Sequence, residues 1–126
     1  MIGYVTVGTN DLQRAVAFYD GVLGVLGAQR FMEEETFVAW SVAPDKPGLS
    51  VTYPFDGKPA TVGNGTMVAL AVDSPEVVDA VYNKAIELGG TDEGPPGQRM
   101  EWFYAAYFRD LDGNKLNAFY ASHPVG

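Results

Sequence analysis

The hydrophobic and polar positions of this chain read as one pattern written twice. Residues 2–8 (IGYVTVG) are β-branched and aromatic and predict a strand. Thr9, Asn10 and Asp11 then offer an N-cap. In residues 11–26 the apolar side chains Leu12, Ala15, Val16, Tyr19, Leu23 and Leu26 recur at helical spacing, and Gly27 closes the segment. Residues 28–32 predict a short edge strand. Residues 36–43 (TFVAWSVA) predict a stronger one and Leu49 to Tyr53 a third, with a turn at Pro44 to Gly48. Pro54 to Asn64 is loop-like, with two prolines and two glycines.

The pattern then begins again. Residues 66–72 (TMVALAV) predict a strand, Asp73 or Ser74 a cap, and Pro75 suits the first helical position. Val77, Val78, Val81, Tyr82, Ala85 and Leu88 predict a second amphipathic helix, ended by Gly89-Gly90. Residues 94–97 (GPPG) read as a loop and 100–109 (MEWFYAAYFR) as one long strand. Asp110 to Gly113 turns the chain, and Asn114 to Tyr120 completes a hairpin. A shift of 63 residues lays Val5 on Val68, Ala17 on Ala80, Tyr19 on Tyr82 and Gly27 on Gly90. Each half is therefore a βαβββ unit. The expected fold is α+β: two repeats, about 1–60 and 64–122, curving their sheets around a shared cleft in a single domain. The order of strands within the sheets is not legible at this level.

Composition narrows the chemistry. With 126 residues, 47% of them hydrophobic, the chain can bury a core. Sixteen acidic against eight basic residues give a net charge of −8, the wrong sign for a nucleic-acid phosphate binder or for docking on anionic membranes. There is no apolar run long enough to span a bilayer. Met1 to Asn10 has no basic, apolar leader pattern, and the expected location is cytoplasmic. Without cysteine there are no disulfides, thiolate metal sites or cysteine nucleophiles. The single histidine, His123, precludes a two-histidine metal site within one chain and reads as a solvated terminal residue.

The paired βαβββ layout resembles the vicinal oxygen chelate superfamily, which includes glyoxalase I, extradiol dioxygenases and the fosfomycin- and bleomycin-resistance proteins. The resemblance covers residues 2–120. It is most specific at 11–19 (DLQRAVAFY) in the first helix and 108–116 (FRDLDGNKL) in the last hairpin, where Leu111 replaces the usual proline of a D-P-D-G-N turn. Metal-dependent members carry a His in the first strand, where this chain has Tyr4. They carry a Glu in the fourth strand, where it has Ser50, and a His or Gln opening the fifth, where it has Met67. The last Glu follows the D-G-N turn, and here that position is Asn117. A phenol, a hydroxyl, a thioether and an amide offer no anionic charge to a hard divalent ion. No metal or other cofactor is expected at these positions.

Strand periodicity places Lys115 and Phe119 on the face of Asn117, and Glu101, Phe103 and Ala105 on the face of Tyr107. In resistance-protein relatives the residue equivalent to Tyr107 contacts substrate. The expected ligand-binding set is Tyr4, Trp40, Ser50, Met67, Phe103, Tyr107, Asn117 and Phe119, an aromatic pocket with a few orienting polar groups. The same side chains would also serve as ordinary packing in a small protein. Glu101, the one carboxylate inferred on the cleft face, is the candidate general acid or base, with an exposed strand-end residue as the plain alternative. Arg99 and Arg109 can pair with an anionic ligand or form surface ion pairs. Glu33 to Glu35 reads as a solvated turn.

The function this implies is metal-free binding of a small hydrophobic or aromatic molecule between the repeats, for which the resistance proteins set a precedent of sequestration. A lactoylglutathione lyase-like or dioxygenase-like enzyme using a non-ancestral site is the alternative, and a protein-interaction module with a filled cleft a third. Because relatives often dimerise and complete the site with a partner chain, a homodimer is expected.

Overall fold

Two equivalent four-stranded sheets, each backed by one helix, make up the computed structural model, which describes residues 1–123. The first half runs β1 (Tyr4–Gly8), α1 (Leu12–Gly24), β2 (Gln29–Glu33), β3 (Phe37–Ser41) and β4 (Gly48–Thr52). The second runs β5 (Val68–Ala71), α2 (Pro75–Glu87), β6 (Thr91–Met100), β7 (Phe103–Arg109) and β8 (Lys115–Ala121). The two helices are 13 residues each and their bounds lie 63 residues apart at both ends, so the sequence repeat is a structural repeat.

The sheet orders, which periodicity left open, are β1-β4-β3-β2 and β5-β8-β7-β6. In each half the first strand pairs in parallel with the last, and the other neighbours are antiparallel. No hydrogen-bonded ladder joins the two sheets among the described residues, so β1 and β5 each keep one free edge.

Local chemistry sets the helix ends. The Asp11 side chain accepts from the Arg14 backbone N–H at 3.1 Å, and Ser74 caps α2 through Val77, with Pro75 at its first position. Leu12, Ala15, Phe18, Tyr19, Val22 and Leu23 face inward on α1, as do Val78, Val81 and Ala85 on α2. These faces meet each other and the backs of both sheets in one core that includes Trp40, Val51, Phe108 and Leu116. Gly90 is required at the exit of α2. A Cβ there would lie 2.8 Å from the carbonyl oxygens of both Ala85 and Arg109.

A polar clasp joins the halves. Asp110, buried in the β7–β8 turn, accepts from the backbone N–H groups of Asp112 and Asn114, both at 2.9 Å. It also accepts from the Tyr19 hydroxyl of α1 at 2.5 Å and from Asn114 Nδ2 at 2.9 Å. Asp112 in turn accepts from Thr9 Oγ1 at 2.6 Å and from the Asn10 backbone N–H at 3.0 Å. Asn114 Nδ2 reaches back to the Gly8 carbonyl at 2.8 Å. The second repeat's hairpin thus holds the β1–α1 corner of the first. Burial, and after it the neighbouring Asp110 carboxylate, push the Tyr19 phenol well above its ordinary pKa, which keeps it a hydrogen-bond donor.

Three expectations are corrected. Residues 94–97 are not a loop but part of β6, paired to β7 through several register shifts. The glycines and prolines there mark bulges rather than a break. The long strand expected over 100–109 is broken by an exposed turn at Glu101 and Trp102, and β7 starts at Phe103. Trp40 lies on the helix side of its sheet and not on the cleft side. It is only 2% exposed, packs against Tyr19 and donates its indole N–H to Asp20 at 2.8 Å. The segment around it is apolar at successive positions, so alternation alone did not reveal which face meets the helix.

Candidate functional site

The concave faces of the two sheets, turned away from the helices, carry the remaining candidates. On β7 and β8 the alternation is clean. Tyr104, Ala106, Phe108, Leu116, Ala118 and Tyr120 belong to the core. Phe103, Tyr107, Lys115, Asn117 and Phe119 point the other way. The Phe103 and Phe119 rings stack at 5.3 Å and an interplanar angle of 20°. Tyr107 sits directly across from Asn117 in the antiparallel ladder, and Ala105 across from Phe119. Met67 precedes β5 and is 42% exposed beside Lys115, in a recess formed by residues 62–67, Arg109 and Lys115.

Asn117 is the unusual member. It is 1% exposed, and its Oδ1 has no hydrogen-bond partner among the described residues. A buried amide oxygen without a donor costs roughly 1–3 kcal/mol relative to one that is satisfied.

The first sheet presents Tyr4, Thr6 and Ser50. Tyr4 is 70% exposed at the free edge. Ser50 is buried but satisfied: its hydroxyl lies 2.8 Å from Thr6 Oγ1 and 3.3 Å from the Val5 carbonyl. Phe31 had not been singled out by periodicity. It falls at the register shift of β2, and its ring lies over Gly48, where an added Cβ would be 3.1 Å from Phe31 Cε1. A bulge breaks the two-residue period, and with it the signal that would have shown the ring's direction.

The structure therefore spreads Met67, Phe103, Tyr107, Asn117 and Phe119 along the second sheet, with Met67 and Phe103 toward opposite ends of the β7–β8 ladder, and places Tyr4 and Ser50 on the first. Among the described residues no strand of one set is hydrogen-bonded to a strand of the other. Glu101 follows the plain alternative: it is exposed in the turn between β6 and β7. His123 is likewise exposed. Arg109 forms an ion pair with Glu93, as one of the two sequence readings had it, whereas Arg99 forms none among the described residues.

The donor set does not fit the hard divalent ion that the family resemblance implied. Tyr4, Ser50, Met67 and Asn117 supply no carboxylate or imidazole, and no group of three or more His, Cys, Asp or Glu residues suited to a metal occurs among the described residues. Nor is any helix among them long and apolar enough to cross a membrane. A second depression, between α1 and β2, is lined in part by Asp20 and Arg30. Those two close on each other at 2.5 Å, and the Arg30 hydrogen bond holds the Asp20 carboxyl below its ordinary pKa. That pair is a satisfied surface contact rather than a binding site.

Comparison with known proteins agrees with this architecture. A glyoxalase/bleomycin resistance protein from Albidiferax ferrireducens is 40% identical, with a TM-score of 0.89 over 98% of this chain and 99% of its own. A family enzyme from Burkholderia phytofirmans is 20% identical, with a TM-score of 0.75 over 94% of this chain and 97% of its own. The fosfomycin resistance protein FosX of Mesorhizobium loti is 17% identical, with a TM-score of 0.70 over 97% and 92%. The last two show the shared fold alone. No curated protein matches the chain. The sequence pattern of the family extends over residues 1–118, and with the repeat, the sheet order and the 40% identical relative it means that the chain belongs to the Glyoxalase/Bleomycin resistance protein/Dioxygenase superfamily.

Proposed function

We propose that this protein binds a small aromatic or apolar organic molecule on the concave face of its second sheet, without a metal ion at Tyr4, Ser50, Met67 and Asn117. The observation that carries the reading is the Asn117 amide, buried and lacking a donor to its Oδ1 beneath the aromatic side chains of Phe103, Tyr107 and Phe119. A ring seated there removes apolar surface from water, and a hydroxyl or N–H on it satisfies the amide. Binding without chemistry accords with the exposure of Glu101, the one candidate acid or base.

A second copy of the chain completes the cleft. The free edges of β1 and β5, the exposed Tyr4 and the exposed Met67 support this. An unpaired strand edge invites pairing, and joining β1 of one copy to β5 of another would set the two half-sites side by side on one continuous sheet.

Titration with benzyl alcohol, followed by amide and aromatic NMR shifts, tests the ligand reading, and light scattering after gel filtration tests the dimer. The expected result is saturable shifts at Phe103, Tyr107, Asn117 and Phe119 and a mass of two chains. About one tightly held nickel, zinc, manganese or iron ion per chain, after purification without an affinity tag, would overturn the metal-free reading. It would favour an enzyme built on new ligands instead.

A further inference from the structure

The cations of this acidic chain are unevenly placed. Of its eight lysines and arginines, three (Arg99, Arg109 and Lys115) gather on β6, β7 and β8 around one residue, Tyr107. Arg109 is committed, with Nε to Glu93 and Nη1 to the Gly113 carbonyl at 2.8 Å. Arg99 and Lys115 have no carboxylate within ion-pair distance among the described residues, although the chain has sixteen. Each lies against the Tyr107 ring, the guanidinium carbon and Nζ both 5.6 Å from its centroid, and Arg99 also donates from Nη2 to the Pro95 carbonyl at 2.6 Å. The β6 backbone makes room for this. A Cβ on Gly97 would come 2.7 Å from Arg99 Nη1, and one on Gly94 would come 3.4 Å from Nη2 and 3.2 Å from Tyr107 Cδ2. Lys115 also lines the recess under residues 62–67, so its ammonium stands between the aromatic face and that opening.

The two cations reach the ring from β6 and β8, the strands that flank β7 on either side, and a cation–π contact offsets only part of the cost of an ammonium or guanidinium without a carboxylate partner. Two cations without an ion-pair partner, in a chain of net charge −8, set up a local positive potential on this face, while Arg109 beside them is neutralised by Glu93. Asn117 adds an independent sign that the face is built for a ligand, being fully buried next to Tyr107 with its Oδ1 unpartnered. We infer that this end of the cleft binds the oxyanion of a small aromatic acid, with Lys115 and Arg99 as its counter-ions and Tyr107, Phe103 and Phe119 as the platform for its ring. The inference rests on the proposed binding of an aromatic molecule to this face, and names its chemical class.

The test compares benzoate and phenylphosphonate with neutral benzyl alcohol by NMR titration of the full chain. Both anions are expected to shift the same residues as the alcohol and to bind about tenfold more tightly, the advantage of a hydrogen bond to a charged partner. Lys115→Met should remove most of that advantage and Lys115→Arg should keep it, the advantage being read in each variant as the ratio of its benzoate affinity to its own benzyl alcohol affinity. Equal affinity of the acids and the alcohol for the unsubstituted protein overturns this inference and leaves the proposed function standing. So does an anion advantage that survives in the Lys115→Met, Arg99→Met double variant. If none of the three probes perturbs Phe103, Tyr107 or Phe119, both readings fall.

Discussion

Ser50 and Asn117 occupy equivalent places in the two repeats, yet their side chains are in opposite condition. Ser50 on β4 pairs with Thr6 on β1, and Asn117 on β8 pairs with Ala69 on β5. Thr6 and Ala69 are themselves equivalent under the 63-residue shift. In the first sheet the threonine hydroxyl meets the serine at 2.8 Å and the buried polar group is satisfied. In the second the alanine offers nothing, and the amide oxygen is left without a partner. One repeat uses the position as scaffold, and the other keeps an unmet hydrogen-bonding group under an aromatic face. A third buried polar group, Asp110, extends the contrast within a single hairpin. Seven positions before Asn117, it accepts four hydrogen bonds and locks the two halves together.

The sharpest way to break this comparison is to remove the saturated member. Asp110→Ala leaves the Tyr19 hydroxyl, the Asn114 amide and two backbone N–H groups without their acceptor. Urea unfolding should show a loss of about 3 kcal/mol or more. Asn117→Leu has the opposite sign. It replaces an unsatisfied amide by an apolar group of similar shape, and stability should rise by about 1–2 kcal/mol. A fall in the urea midpoint would mean that the amide is satisfied in solution and that the contrast between the repeats is wrong.

Exchanging the partners gives smaller effects. Thr6→Ala should cost about 1 kcal/mol or less, because Ser50 retains the Val5 carbonyl. Ala69→Thr should gain about the same by supplying Asn117 with a donor, and should weaken benzyl alcohol binding by filling the site. The clasp also carries a pH signature. The Tyr19 phenol is raised in the folded state above its ordinary value of 10.0, so its contribution to stability is complete below pH 10. Above that the unfolded chain releases the proton first, and stability falls as pH climbs through the folded pKa. Tyr19→Phe should flatten this alkaline decline in a series of unfolding curves.

Much of the fold was written in local pattern. The cap regions, the apolar spacing of the two helices and the 63-residue repeat were legible in the chain, and the structure settles the caps on Asp11 from Thr9 to Asp11 and on Ser74 from Asp73 or Ser74. The family resemblance rests on the same local signals, chiefly residues 11–19 and 108–116, and Tyr19 of the first and Asp110, Asp112 and Asn114 of the second take part in the clasp between the halves. Residue identity alone also decided that Tyr4, Ser50, Met67 and Asn117 are a poor donor set for a hard metal ion.

Tertiary structure decided the rest, wherever a side chain's meaning depends on what lies opposite it. Alternation in a strand states which residues share a face, but only the packing of α1 showed that the face of Trp40 is the buried one. Bulges in β2 and β6 reset the two-residue period, which hid Phe31 and made residues 94–97 resemble a loop. The turn at Glu101 and Trp102 took a candidate carboxylate out of the strand and left it exposed. The unmet acceptor of Asn117 belongs to this second class, because it exists only through the pairing of β5 with β8, which sets an alanine beside it. Hydrogen-bond satisfaction is a property of contacts between distant segments, and a sequence states which groups need partners without stating which groups find them.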